Sequence, residues 1–166
     1  MIYAIIIIVG IILDRITKIY ASSNFLQNPI HTKLINFVYV ENRGAAFGIL
    51  QDRRIFFIIL TLVVVAYLLY YFIRNINTNP KMLNLALSLI ISGALGNFYD
   101  RLFHGYVVDF IEFSFVNFPV FNIADILVTL GSILLVVFIL FSDMDGDKNV
   151  SRNRKWLVWN SKGWMD

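Results

Sequence analysis

The run IFFIILTLVVVAYLLYYFI, residues 55–73, contains no charged side chain. A bilayer core needs about 20 apolar helical residues to cross it. This stretch therefore predicts a transmembrane helix, and the chain around it agrees. Of its 166 residues, 58% are hydrophobic, and its mean hydropathy is +0.71. Soluble domains hold about 45–50% apolar residues on a similar count. One membrane domain over residues 1–166 is the natural reading at this length.

Three more spans are expected outward from that run. Residues 82–100 hold Asn84 and Asn97 and end at Asp100-Arg101. Residues 122–141 carry Asp125 as their only charge. Residues 2–20 begin as an almost unbroken apolar run and must continue through Asp14, Arg15 and Lys18 to reach spanning length. Ala21-Ser22-Ser23 offers small residues for a cleavage site, but no basic segment precedes the apolar run and three charges interrupt its end, so an uncleaved span is expected.

The connections differ in kind. Residues 24–54 are polar enough to leave the membrane. Leu34 to Val40 is β-branched and aromatic, and Glu41-Asn42-Arg43-Gly44 is a turn signal. A short strand or hairpin resting on the membrane surface is expected. Residues 102–120 read as a loop dense in phenylalanine, suited to an interface. Residues 143–166 form a charged tail with Trp156, Trp159 and Trp164.

Four spans put both termini on one side. The tail carries Lys148, Arg152, Arg154, Lys155 and Lys162, and the 74–81 loop adds Arg74 and Lys81. The opposite side has Lys33, Arg43, Arg53, Arg54 and Arg101. Seven against five favours cytoplasmic termini by the positive-inside rule. Asp14, Lys18, Asp100, Asp109 and Asp125 then collect near the outer face.

Several functions are excluded. There is no cysteine, hence no disulfide or thiolate metal site. His31 and His104 form no zinc-protease frame. The net charge of +3 lacks the basic, aromatic-interleaved stripe of a nucleic-acid binder. The run Asp143-Met144-Asp145-Gly146-Asp147 resembles the start of a calcium loop but lacks its closing Glu, and it is read as a solvated helix end.

Acids at the edge of hydrocarbon are costly and functional by default. Asp109 follows one apolar stretch, and Asp125, sixteen positions on, opens the next. Antiparallel packing of the third and fourth spans would return the chain to within reach of its start. Two close carboxylates share a proton, as in the aspartic proteases. Asn122 is a good N-cap, and Asp125 three residues on completes a capping-box pattern. Asn97, Asp100 and Arg101 fall on one helix face. Arg101 has two readings: it braces a carboxylate or a substrate carbonyl, or it is a snorkelling helix-end arginine. Asp14 and Lys18 are an i,i+4 pair, first read as an internal ion pair and second as a substrate contact. Gly44, after Asn42, would let backbone approach a ligand closely. On these residues alone, a small proton-coupled transporter or channel and a non-catalytic scaffold stay open beside a protease.

Five motifs in order narrow the choice: Asp14-x-x-Thr17-Lys18, Asn42-x-Gly44-Ala45-Ala46-Phe47, Gly96-Asn97-x-x-Asp100-Arg101, Val107-Val108-Asp109-Phe110 and Phe121-Asn122-x-Ala124-Asp125. Together they resemble the bacterial lipoprotein signal peptidases (signal peptidase II), over about residues 10–140. The resemblance implies four transmembrane helices with a small β-cradle on the outer face. It implies an intramembrane aspartyl endopeptidase of the bacterial inner membrane, without metal or other cofactor. Its partners would be membrane lipid and prolipoproteins bearing diacylglyceryl-cysteine, cut just before that cysteine, and the enzyme is expected to be a monomer. Asp109 and Asp125 match the family's catalytic pair. Asp14, Lys18, Asn42, Gly44, Asn97, Asp100, Arg101 and Asn122 would bind substrate or support the site.

Overall fold

The structure is a computed structural model that describes residues 1–44 and 51–141. The Ala45-Ala46-Phe47 part of one motif and the tryptophan-bearing tail lie outside the described residues. In chain order come α1 (Ile2–Asn24), β1 (Ile35–Asn42), α2 (Arg54–Asn75), α3 (Lys81–Phe103), β2 (Val107–Phe113) and α4 (Ile123–Phe141). Three of the helices, α2, α3 and α4, are long and apolar enough to cross a membrane. The three charges near the end of α1 set it apart from them.

Helix α3 is the centre. Half of its most apolar window is buried (50%), against 11% in α2 and α4. Its low apolarity explains this, because polar and small side chains line its inner face. Asn84, Ser88, Ser92, Gly96 and Asp100 recur every four residues and are all buried. Helix α1 answers with Gly10, Asp14 and Lys18, also buried at four-residue steps. The stripes match in rising order, so α1 and α3 run parallel. Ser92 Oγ donates to Ile7 O at 3.1 Å, a Cβ on Gly96 would sit 2.6 Å from Asp14 Oδ2, and Lys18 Nζ lies 2.9 Å from Asp100 Oδ2. The isoleucines of α1, such as Ile5, Ile8 and Ile12, face outward. Polar faces inside and apolar faces outside are the arrangement a lipid solvent selects.

The sheet corrects two expectations. The strand expected at 34–40 runs on through Asn42; locally it makes one antiparallel bridge, Ile30 to Phe37, and its main partner lies far along the chain. It pairs antiparallel with β2, Asn42 opposite Val107 and Val40 opposite Asp109. The 102–120 segment, read as loop, contains that second strand and the last two residues of α3. Gly105, at φ +85°, makes the sharp exit from α3, and its N–H and that of His104 both donate to Asp100 O. One face of β2 sends Val108 and Phe110 into a core with Ala21 and Phe25 of the α1 end. The alternate face carries Asp109 toward the helices. Asp109 therefore sits within a strand and not at a helix end.

Candidate active site

Asn122 is the hinge of the site. It precedes α4 and forms the full capping box with Asp125. The Asp125 N–H donates to Asn122 Oδ1 at 3.0 Å, and the Asn122 N–H donates to Asp125 Oδ2 at 3.1 Å. The same Asn122 donates from Nδ2 to Asp109 Oδ1 at 2.6 Å. One residue thus touches both carboxylates, Asp109 through its side-chain amide and Asp125 through its backbone N–H. Asn42 Nδ2 donates to the other oxygen of Asp109 at 2.8 Å. Asn97 Nδ2 donates to Asp125 Oδ1 at 2.7 Å, and Lys18 Nζ donates to Asn97 Oδ1 at 2.9 Å. A lysine donating to the amide oxygen fixes which way Asn97 points, with its NH2 toward Asp125.

Behind the amides lies a buried ion cluster. Lys18 is 1% exposed and contacts both Asp14 Oδ2 and Asp100 Oδ2 at 2.9 Å. Arg15 pairs with the second oxygen of Asp100 and stacks over the Tyr99 ring. Two acids and two bases leave the cluster neutral. Asp14 also accepts from the Ala124 N–H at 3.0 Å, which ties α1 to the first turn of α4. The internal-ion-pair reading of Asp14 and Lys18 therefore holds in the geometry, and neither lines the cavity described next.

Both carboxylates open on one cavity of about 600 Å³. Asn42, Asn97 and Arg101 stand at its head beside them, and Phe113, Phe118 and Phe121 form one wall. Its deeper lining, from Thr61, Ala94, Val128 and Leu130, is mostly apolar. Burial first, and the neighbouring Asp125 carboxylate second, push Asp109 from the usual 3.8 up to about 7. The Asn42 and Asn122 amides and Lys18 oppose that rise. Arg101 donates to Gly44 O at 3.0 Å and lies over the Phe57 ring. Gly44 N–H donates to Asn42 Oδ1 at 3.0 Å, so the glycine orients the amide that holds Asp109. Among the described residues, no group of three or more His, Cys, Asp or Glu side chains is placed to hold a metal ion.

The structure thus gathers Asp109, Asp125, Asn42, Asn97, Arg101 and Asn122 around one space. It places Asp14, Lys18 and Asp100 behind them and Gly44 beside Asn42. Sequence reasoning missed Arg15, whose place next to Asp14 in an apolar run was the available signal. It also missed Thr61 and Thr129, two hydroxyls in otherwise apolar spans.

Apolar helices around a cavity headed by two amide-held carboxylates define a membrane protein with a paired-acid site. The family described as Signal peptidase (SPase) II matches residues 6–141. A lipoprotein signal peptidase of Clostridium tetani is 47% identical over 152 residues, covering 88% of this chain and 97% of that protein. One from Streptococcus pneumoniae is 40% identical, covering 88% and 97%. A solved bacterial membrane enzyme superposes with TM-score 0.79 at 36% identity, covering 86% of this chain and 90% of that one. A second gives TM-score 0.74 at 37% identity, covering 83% and 92%. The chain belongs to the signal peptidase II family, and it is a protease.

Proposed function

We propose that this protease removes signal peptides from diacylglyceryl-modified prolipoproteins, with Asp109 and Asp125 as its catalytic pair. The observation that carries the assignment is that Asn122 donates to both carboxylates, from its side-chain amide to Asp109 and from its backbone N–H to Asp125, at the head of one largely apolar cavity. The pair holds one proton between them. The ionised member takes a proton from water, and the water oxygen attacks the scissile carbonyl. The protonated member donates to that carbonyl oxygen. The bond before the lipidated cysteine then breaks, and its nitrogen leaves with a proton from the pair. Asn42, Asn97 and Asn122 hold the acids in place without adding charge. Arg101, with Gly44 fixed against it, stands where it could meet a substrate carbonyl. Asp14, Lys18 and Asp100 brace the frame.

We further infer a single domain with four spans, α1 serving as the fourth because its charges turn inward onto α3. Both termini then face the cytoplasm, the tail included. The sheet and the acid pair lie near the outer face of the bacterial inner membrane, where a lipid-anchored substrate is confined. The enzyme works as a monomer and needs no cofactor. The test is a gel assay on a diacylglyceryl-modified prolipoprotein with purified protein. Wild type releases the signal peptide, while Asp109→Asn and Asp125→Asn fold but do not. Full cleavage by either variant overturns the pair.

A further inference from the structure

Two hydroxyls in the deeper cavity wall have no role in the chemistry above. Thr61 lies on α2 and Thr129 on α4, and both line the cavity. Helix α2 starts beside the end of α3, and α4 starts lower, beside Gly96 and Asn97. Arg54 of α2 donates to Arg101 O and Leu102 O, and Asp125 of α4 accepts from Asn97. By helical rise Thr61 lies about 10 Å below the first residue of α2 and Thr129 about 9 Å below that of α4. Because α4 starts lower along α3 than α2 does, Thr129 lies deeper in the cavity than Thr61, about 6 Å, one turn, beneath Asp125.

Threonine in an apolar helix ordinarily bonds back onto its own backbone. Thr17 does so, donating to Leu13 O and Asp14 O. Thr61 and Thr129 do not, and among the described residues neither hydroxyl has a hydrogen-bond partner. Their neighbours in the wall, Ala94, Val128 and Leu130, offer only apolar surface.

The substrate brings the missing partners. To be cut, its backbone must leave the helical state beside the acid pair. The apolar helix leading there then ends with up to about four carbonyls that lack intrahelical donors. In hydrocarbon such groups are costly unless something donates to them. We propose that Thr61 and Thr129 donate to these carbonyls, forming a subsite that reads the backbone of the signal helix where it ends. The inference rests on the substrate reading given above. The carbonyls concerned lie about two to four residues before the scissile bond, depending on how far the chain is extended over that one-turn drop. Because such bonds form in the bound ground state and persist through the reaction, they act on binding.

The test uses the full chain and a synthetic diacylglyceryl-cysteine prolipopeptide. Thr61→Val with Thr129→Val keeps the shape and removes both hydroxyls. It raises KM about tenfold, the effect of two neutral hydrogen bonds, with kcat unchanged. Thr61→Ser with Thr129→Ser restores the wild-type KM. A substrate with ester bonds replacing the amides in that stretch has weaker acceptors. It raises KM on wild type, a result independent of whether the valine variant folds. An unchanged KM in the valine variant, or indifference of wild type to the ester substrate, overturns the subsite. A lowered KM in the valine variant also overturns it and assigns the wall to an acyl chain. Asp125→Asn in the same assay separates the two claims. Its inactivity beside an unchanged valine variant leaves the protease reading standing, while a wild type that does not cleave overturns both.

Discussion

Replacing Asn42 with alanine changes one thing at Asp109: it removes an amide that donates to Asp109 Oδ2 at 2.8 Å. That bond favours the ionised carboxylate and opposes the burial and the Asp125 charge that push Asp109 up to about 7. A hydrogen bond to a charged group is worth about 1.5 kcal/mol at the low end, and 1.36 kcal/mol is one pH unit. Asp109 is 2% exposed, so water replaces the amide poorly. The alkaline limb of the rate profile, where the shared proton is lost, therefore moves up by about one unit. The limb belongs to the pair as a whole, but its direction follows from the lost donor. The assay is single-turnover cleavage between about pH 5 and pH 9, read as a pH–rate profile. Stability carries the same sign. Asp109 sits above its usual 3.8, so its contribution is full below that value and is lost as pH rises through about 7. In the alanine variant that loss is displaced to higher pH. A limb that stays in place or moves down refutes both the role of Asn42 and the electrostatic account of the pair.

Other perturbations act on the frame. Lys18→Met leaves Asp14 and Asp100 buried without their shared cation and costs about 3–5 kcal/mol, seen as a lower unfolding temperature in detergent. Gly96→Ala places a Cβ 2.6 Å from Asp14 Oδ2, which Lys18 and the Ala124 N–H hold in place. The strain costs about 1–3 kcal/mol and lowers activity through the start of α4. Arg54→Ala frees the last carbonyls of α3, and loss of about 1 kcal/mol lowers Tm by about 2–4 °C. It also lowers kcat, because the backbone of Arg101 loses its anchor.

The legible parts of this protein were those written within one turn or one span. Apolar length placed the ends of α2 and α4 to within two residues. Asn122 and Asp125, three apart before an apolar run, announced a capping box that the hydrogen bonds realise on both sides. Asp14 and Lys18, four apart, announced an ion pair. Asp100 as the partner of both Lys18 and Arg15 was not legible, because it joins helices more than eighty residues apart in the chain. The i,i+4 rule finds neighbours on one helix only. The four-residue stripe of Asn84, Ser88, Ser92, Gly96 and Asp100 was visible in principle, and it marks α3 as the helix that faces protein on its polar side.

The sheet was the harder case, and it matters most for the chemistry. β2 reads as apolar residues broken by Asp109 and Glu112 within an aromatic segment, and nothing local names its partner. Pairing with β1 is set by register across the fold. In that register Asp109 stands opposite Val40, and Asn42 opposite Val107. Because side chains alternate along a strand, Asn42 and Val40 share a face, which makes Asn42 the diagonal neighbour of Asp109. A one-residue slip would turn Asp109 toward Ala21 and Phe25 and leave it without donors. The bulge between Phe37 and Val40 changes the register on the far side, so the pairing that matters is fixed at the Asn42 end. A strand position gives Asp109 something a helix end would not: its partner Asp125 is held by helix geometry, and its own place is held by a separate sheet. The distance between the two acids is then set by Asn122, which belongs to the helix cap and reaches the strand. That makes Asn122 the residue whose side chain most directly controls whether the two carboxylates act as one site.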